Sequence, residues 1–291
     1  MTQKNKTSKS TKKVAFQGKA GAYSDIACRA VFPRHTPLPC PSFLDAFQAL
    51  DQGRADLAMI PIDNSIAGRV ADIHYLLPQY PFYFVAEYFL PIDHCLLGLM
   101  DAKLEDIRTV YSHAHALPQC RKIIRQNKWE QVVYGDTAGS AERVAELGDK
   151  RNAAIASSLT AKLYGLKILK RDIADDKNNV TRFLALSRDK TVSPPKKATR
   201  YITSFIFSVR NIPAALYKAM GGFATNNVNM LKLESYMPGG GFTATLFYGA
   251  VEGHQKDPNL PQALDELRFF ATDIRVLGSY PQARQNLNKS K

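Results

Sequence analysis

Between residues 14 and 188, short apolar runs alternate with amphipathic helical stretches, and each apolar run ends in a turn carrying Ser, Thr, Asn or Gln. That alternation restricts the segment to an α/β fold built from strand–helix units. The first run, Val14-Ala15-Phe16-Gln17-Gly18, enters a small-residue turn, Gly18-Lys19-Ala20-Gly21-Ala22-Tyr23-Ser24, and a helix through about Phe32. Ser42 and Asp45 pair as a capping box ahead of Phe43, Ala46, Phe47 and Leu50. Asp56 to Ile62 reads as a buried strand, and Asp63 to Gly68 as a polar turn into a helix carrying Val70, Ile73, Leu76 and Leu77. Further strands are expected at Thr109–His113, Gln131–Tyr134 and Ala153–Ser157, with helices from Ala116, Ala141 and Ser158. Any one of these polar turns is explained as a helix cap. Taken together, Asn64, Ser65, Ser112, Thr137, Ser157 and Thr181 suggest a small-molecule cleft between two lobes, at the carboxyl ends of strands.

After Arg188 the pattern changes. Residues 189–200, with Pro194-Pro195 and four basic residues, read as a linker. Beyond it, strands at Tyr201–Val209, Val228–Tyr236, Phe242–Val251 and Ile274–Tyr280 and helices at Pro213–Ala224 and Leu260–Ala271 follow the order βαββαβ, the ferredoxin-like unit. A module of this kind with one bare sheet face often pairs with a copy of itself.

A net charge of +13 raises the question of nucleic acid until the charge is located. Residues 1–13 carry +5, residues 188–200 carry +4 and residues 282–291 carry +3, which leaves about +1 elsewhere. The charge lies in tails and a linker, so no nucleic-acid face is expected. No apolar run reaches the ~20 residues of a membrane span; residues 83–99 come nearest but are interrupted by Glu87, Pro91, Asp93 and His94, and the lysine-rich N-terminus lacks the apolar core of a secretory signal. A cytoplasmic protein with disordered basic tails at 1–13 and 282–291 is expected. Cys28, Cys40, Cys95 and Cys120 have neither zinc-site spacing nor C-x-x-C pairing, so reduced, packed thiols and no metal are expected.

One stretch stands out. Asn178-Asn179-Val180-Thr181-Arg182-Phe183 places a hydroxyl, a guanidinium and a ring where a polar loop becomes a strand. On these residues alone, a strand start with an exposed arginine is the simpler reading. Other stretches add to it in chain order: the opening glycine–tyrosine–serine turn, Pro61-Ile62-Asp63-Asn64-Ser65, Tyr111-Ser112-His113 with Gln119-Cys120, Asp136-Thr137-Ala138, and Ala153-Ala154-Ile155-Ala156-Ser157. From Val14 to Pro281 the chain resembles prephenate dehydratase, and the Thr-Arg-Phe triplet is the most specific part of the likeness. The last third is similar to the attached ACT regulatory domain, in Ala215-Leu216, Glu234-Ser235, Glu252-Gly253-His254 and Leu277-Gly278-Ser279-Tyr280.

The resemblance implies a two-lobed, periplasmic-binding-protein-like catalytic domain over 14–188 and an ACT domain over 201–281. It implies conversion of prephenate to phenylpyruvate, on the way to phenylalanine, with no cofactor. Thr181 is implied as the catalytic residue. Asn64, Ser65, Ser112, Gln119 and Thr137 are implied as substrate-positioning residues. Arg182 is the candidate for a substrate carboxylate, with loop bracing as its alternative, and Phe183 is grouped with the substrate-binding residues, with packing as its alternative. A phenylalanine effector site is implied at Ala214, Ala215, Leu216, Glu234 and Ser235, in a homodimer or homotetramer. The sequence departs from the family pattern at Asp63 (Glu is usual), Ala214 (Gly) and Tyr236 (Arg), so feedback by phenylalanine is left open. Arogenate as substrate, or a ligand-binding sensor without turnover, are the rival readings.

Overall fold

A computed structural model describes residues 11–190, 194–237 and 246–284. Most of both basic tails, part of the linker, the Pro238–Gly241 turn and the expected strand start at Phe242 lie outside the described residues. The described residues fall into two compact units. One is drawn from residues 11–60, 64–68 and 90–181, the other from residues 61–63, 69–89, 182–190, 194–237 and 246–284.

In the first unit, β1 (Lys13–Gln17) pairs in parallel with β2 (Thr36–Cys40) and β3 (Leu57–Asn64), with α1 (Tyr23–Val31) and α2 (Phe43–Asp51) between them in the chain. The expected capping box forms: Ser42 Oγ accepts from the Asp45 N–H at 3.1 Å, and Asp45 accepts from the Ser42 N–H at 3.1 Å. β2 was not expected. Its Pro37 and Pro39 lack N–H groups and suppress a strand reading. As an edge strand, however, it pairs on one side only, and proline is tolerated there.

The chain continues through β4 (Gly68–Arg69), α3 (Ala71–Leu76), β5 (Tyr83–Pro91), β6 (Cys95–Gly98), β7 (Thr109–His113), α4 (Arg121–Asn127), β8 (Glu130–Tyr134), α5 (Thr137–Leu147), β9 (Asn152–Ala156), α6 (Ser158–Leu163), β10 (Lys167–Lys170) and β11 (Val180–Ser187). One sheet has β1 between β2 and β3, and a second has the order β10-β6-β9-β7-β8. In the second sheet, β9 and β8 flank β7 in parallel, while β6 runs antiparallel to β9. Alternate residues of β6 and β9 serve two cores. Leu96, Ala153 and Ile155 join Val110, Ile124 and Trp129 on one face; Cys95, Leu97, Ala154 and Ala156 join Ala141 and Val144 on the other. A strand buried on both faces must be apolar at every position, which is why these segments read as continuous apolar runs. α5 starts four residues before the expected Ala141, because the Asp136 side chain caps it by accepting from the Gly139 N–H at 2.8 Å.

The second unit contains β12 (Tyr201–Val209), α7 (Ala215–Thr225), β13 (Met230–Tyr236), β14 (Leu246–Glu252), α8 (Asn259–Phe270) and β15 (Ala271–Pro281). Their sheet is antiparallel with the order β13-β14-β12-β15, the ferredoxin-like arrangement expected of an ACT domain. Phe205, Phe207, Phe223, Phe247, Leu260, Leu264 and Leu267 form its core with the helices. Gly249 sits opposite Phe205 in the register, and a Cβ there would come within 2.6 Å of the Phe205 ring. Ala214, just before α7, holds a left-handed backbone at φ 61°, a conformation glycine adopts without strain. No helix among the described residues is long and apolar enough to cross a membrane.

Candidate active site

In the first unit the polar turns after β3 and before β11 meet. Asn64 closes β3, and its Oδ1 accepts from the N–H groups of Ile66 and Ala67 at 3.0 and 2.7 Å, an Asx-type turn that fixes the amide. Its Nδ2 donates to Thr181 Oγ1 at 2.9 Å and to Asn179 Oδ1 at 2.7 Å. Ser65 ties down the same turn: its hydroxyl donates to the Asn178 carbonyl and accepts from the Val180 N–H, each at 2.9 Å. Asn179 then donates to Gln119 Oε1 at 2.7 Å. Gln119 lies in the 3-10 turn Leu117–Cys120 that precedes α4. Its Oε1 also lies 2.9 Å from His94 Nε2, and His94 Nδ1 lies 2.9 Å from the Tyr23 hydroxyl at the start of α1. Asn179 and His94 are buried, and Thr181 is 8% exposed. Burial lowers the His94 pKa, with the bond to Gln119 working against it.

The structure thus brings Asn64, Ser65, Gln119 and Thr181 together. It sets Ser112 apart, fully buried on β7 with its hydroxyl donating to the Ile155 carbonyl at 2.6 Å. Thr137 opens α5, half-buried and outside this hydrogen-bond cluster. Ser157 caps α6 and donates to the Gly21 carbonyl at 2.7 Å, joined by Thr160 Oγ1 at 3.1 Å. Gly21 has φ +89°, and a Cβ there would lie 3.2 Å from the Thr160 backbone, so this approach needs glycine. Asn179, His94 and Tyr23 were missed as site residues. Asn179 stands inside the stretch singled out, and Tyr23 inside the opening glycine–tyrosine–serine turn, while no local pattern points to His94. All four cysteines are free and buried. Burial pushes the thiols up, Cys95 to about 11 and Cys120 to about 12.

The second unit holds an ionic cluster. Arg182 Nε lies 2.6 Å from Glu87, its Nη1 3.7 Å from Asp63, and its Nη2 donates to the Tyr280 hydroxyl at 3.3 Å. Burial acts to lower the Arg182 pKa, but the surrounding Tyr280, Tyr248 and Glu87 outweigh it and raise it. Phe183 is 1% exposed, packed in the core. The guanidinium expected to receive a substrate carboxylate therefore already has carboxylate partners, and the ring beside it is sealed in. Lys232 pairs with Asp63 and with Glu234, the latter at 3.3 Å, and Arg69 pairs with Glu234 at 3.3 Å and donates to the Ser235 carbonyl at 3.2 Å. Tyr236 bonds to His74 Nδ1 and stacks on its ring at 5.0 Å. Burial lowers the His74 pKa to about 4. Of the expected effector positions, Glu234 and Ser235 lie on β13 within this cluster, while Ala214, Ala215 and Leu216 lie at the start of α7.

A neutral cluster of three carboxamides and a threonine hydroxyl is suited to hydrogen bonding an oxyanion or a departing oxygen. Comparison with known proteins agrees. The family described as prephenate dehydratase matches residues 14–191. A bifunctional N-acyl-homoserine lactone acylase/prephenate dehydratase from Komagataeibacter europaeus is 48% identical over 268 residues, 92% of this chain and 95% of the relative. Arogenate dehydratase/prephenate dehydratase 1 from Arabidopsis thaliana is 38% identical over 92% of this chain and 72% of its own length. A prephenate dehydratase from Arthrobacter aurescens, solved in complex with L-Phe, is 29% identical and superposes with a TM-score of 0.85 over 93% of this chain and 90% of that one. This chain belongs to the prephenate dehydratase family.

Proposed function

We propose that the chain converts prephenate to phenylpyruvate, with Thr181 as the catalytic donor. The hydrogen bond from Asn64 Nδ2 to Thr181 Oγ1 carries this reading. An amide N–H can only donate, so the threonine oxygen is the acceptor there and its own proton is left for another partner. Prephenate has a ring carboxylate opposite a ring hydroxyl. As the carboxylate carbon leaves as carbon dioxide, its bonding pair moves into the ring and the C–O bond breaks, giving an aromatic ring. The departing oxygen gathers negative charge, and a hydrogen bond from Thr181 stabilises that charge. A well-placed donor of this kind is worth about 10²–10³ in rate. Gln119, whose oxygen is occupied by Asn179 and His94, presents its amide nitrogen as a second donor.

Asn64 and Ser65 shape this site, and Arg182 braces the strand that carries Thr181; Ser112 and Thr137, which stand outside the hydrogen-bond cluster, remain substrate-positioning residues only on the strength of the family resemblance. Residues 14–188 act as the catalytic domain, 189–200 as a linker and 201–281 as the ACT domain, which pairs two or four copies. The Arthrobacter relative, solved in complex with L-Phe, supports an amino-acid effector, and the site assigned to it here is Ala214, Ala215, Leu216, Glu234 and Ser235. Arogenate is the second substrate to test, because the Arabidopsis relative is named for both reactions. The deciding experiment follows phenylpyruvate formation from prephenate, with and without phenylalanine, and phenylalanine formation from arogenate. Turnover of prephenate supports the reading; turnover of arogenate alone replaces it; turnover of neither removes it.

A further inference from the structure

Gln119 can act as a donor only if its amide nitrogen, and not its oxygen, faces away from the cluster. The two ends of a carboxamide are nearly equal in size, so packing alone does not choose between them. Here the choice is made by a chain of hydrogen bonds that starts at groups of fixed polarity. The backbone N–H groups of Ile66 and Ala67 can only donate, so the Asn64 atom that receives them is oxygen and its other end is nitrogen. That nitrogen requires an oxygen from Asn179, at 2.7 Å. The nitrogen of Asn179 requires an oxygen from Gln119, also at 2.7 Å. The same Gln119 oxygen faces His94 Nε2 at 2.9 Å, and a carbonyl oxygen cannot donate, so Nε2 bears the proton. His94 is 2% exposed, and its burial favours the neutral ring. Nδ1 is then bare and accepts the Tyr23 hydroxyl at 2.9 Å, with the Asp93 carbonyl sharing that proton at 2.8 Å.

We propose that His94, held by Tyr23 as the Nε2–H tautomer, is a positioning residue for the reaction: its bond to Gln119 Oε1 aims the Gln119 amide nitrogen outward as a donor. This rests on the function proposed above. It differs from a space-filling role in a specific way. His94 acts only through Gln119, so it loses its effect on catalysis when Gln119 is gone.

The test is a double-mutant cycle with His94→Leu and Gln119→Ala, read as kcat and KM for prephenate. His94→Leu is expected to lower kcat about tenfold, a fraction of what a direct oxyanion donor supplies. Its KM should stay nearly unchanged, and kcat should fall no further when His94→Leu is added to Gln119→Ala. Equal losses on both backgrounds overturn the proposal. His94→Gln, whose amide can place an N–H near the position of Nε2–H, should recover part of the loss. Should His94→Leu not fold, Tyr23→Phe takes its place in the same cycle, with the same non-additivity expected. Nitrogen NMR of the wild-type protein reads the tautomer without any turnover. A neutral Nε2–H ring at pH 7 supports the proposal, and an Nδ1–H ring or an imidazolium overturns it. If the wild-type protein turned over neither prephenate nor arogenate, the proposed function would fall, while the tautomer would still decide the relay.

Discussion

Asp63 and Asn64 are consecutive, as are Thr181 and Arg182, yet each pair sends its two members into different chemistry. Asn64 and Thr181 join a neutral network of amides and a hydroxyl. Asp63 and Arg182 join a cluster of charges with Glu87 and Lys232. The cause is strand geometry: successive side chains of β3 and of β11 point to opposite faces. The neutral network costs little to desolvate and has donors to spare for a ligand. The ionic cluster must pair its charges with each other, because an unpaired buried charge costs several kcal/mol. Within the Thr-Arg pair, the arginine is tied to carboxylates, while the threonine oxygen accepts from a neutral amide, the setting that the proposed role of Thr181 as donor calls for.

The largest effect is expected on the ionic side. Glu87→Ala leaves the Arg182 guanidinium without its nearest carboxylate, at 2.6 Å, and should cost about 3–5 kcal/mol of stability in urea or thermal unfolding. A loss below about 1 kcal/mol would place Arg182 among weakly coupled surface ion pairs. Thr181→Ala should do the converse. It is expected to lower kcat by about 10²–10³ while leaving the unfolding curve nearly unchanged. Near-wild-type kcat would remove Thr181 as the donor.

His74 sharpens the comparison by pH. Its folded pKa, about 4, lies below the unfolded value of 6.5, so the unfolded chain binds the proton first as pH falls. The contribution of His74 is therefore complete above pH 6.5 and is lost between there and about 4, by up to about 3 kcal/mol. His74→Phe should flatten that part of the stability–pH curve, and an unchanged slope would show that another group titrates. The smallest effect is backbone strain. Ala214→Gly should raise stability by about 0.5–1 kcal/mol, because alanine resists the left-handed conformation it holds at φ 61°. A fall in stability would mean that the Ala214 methyl contributes more than its strain costs.

Much of the fold was legible because it is written in local patterns. The continuous apolar run of β9, the Ser42–Asp45 capping box and the βαββαβ order of the last third each follow from residues close together in the chain. β2 was illegible because Pro37 and Pro39 contradict strand propensity, and only its edge position makes them acceptable. The start of α5 was placed late because Gly135 and Gly139 suggested a turn, and the capping bond from Asp136 outweighs them. Within the site, Asn64, Gln119 and Thr181 were picked out as individual residues. Asn179 was passed over, although it connects them, because it reaches its partners across 60 and 115 residues of sequence.

By itself the sequence determined the family and most of the element order, β2 excepted, because propensity, capping and hydrophobic period act over a few residues. Only the tertiary structure decided which partners the polar side chains of the turns meet. It placed Glu87 against Arg182 across 95 residues, and His94 against Gln119 across 25. Whether a polar side chain serves a ligand or serves the fold depends on which partners reach it first, and those partners are set by how the chain packs.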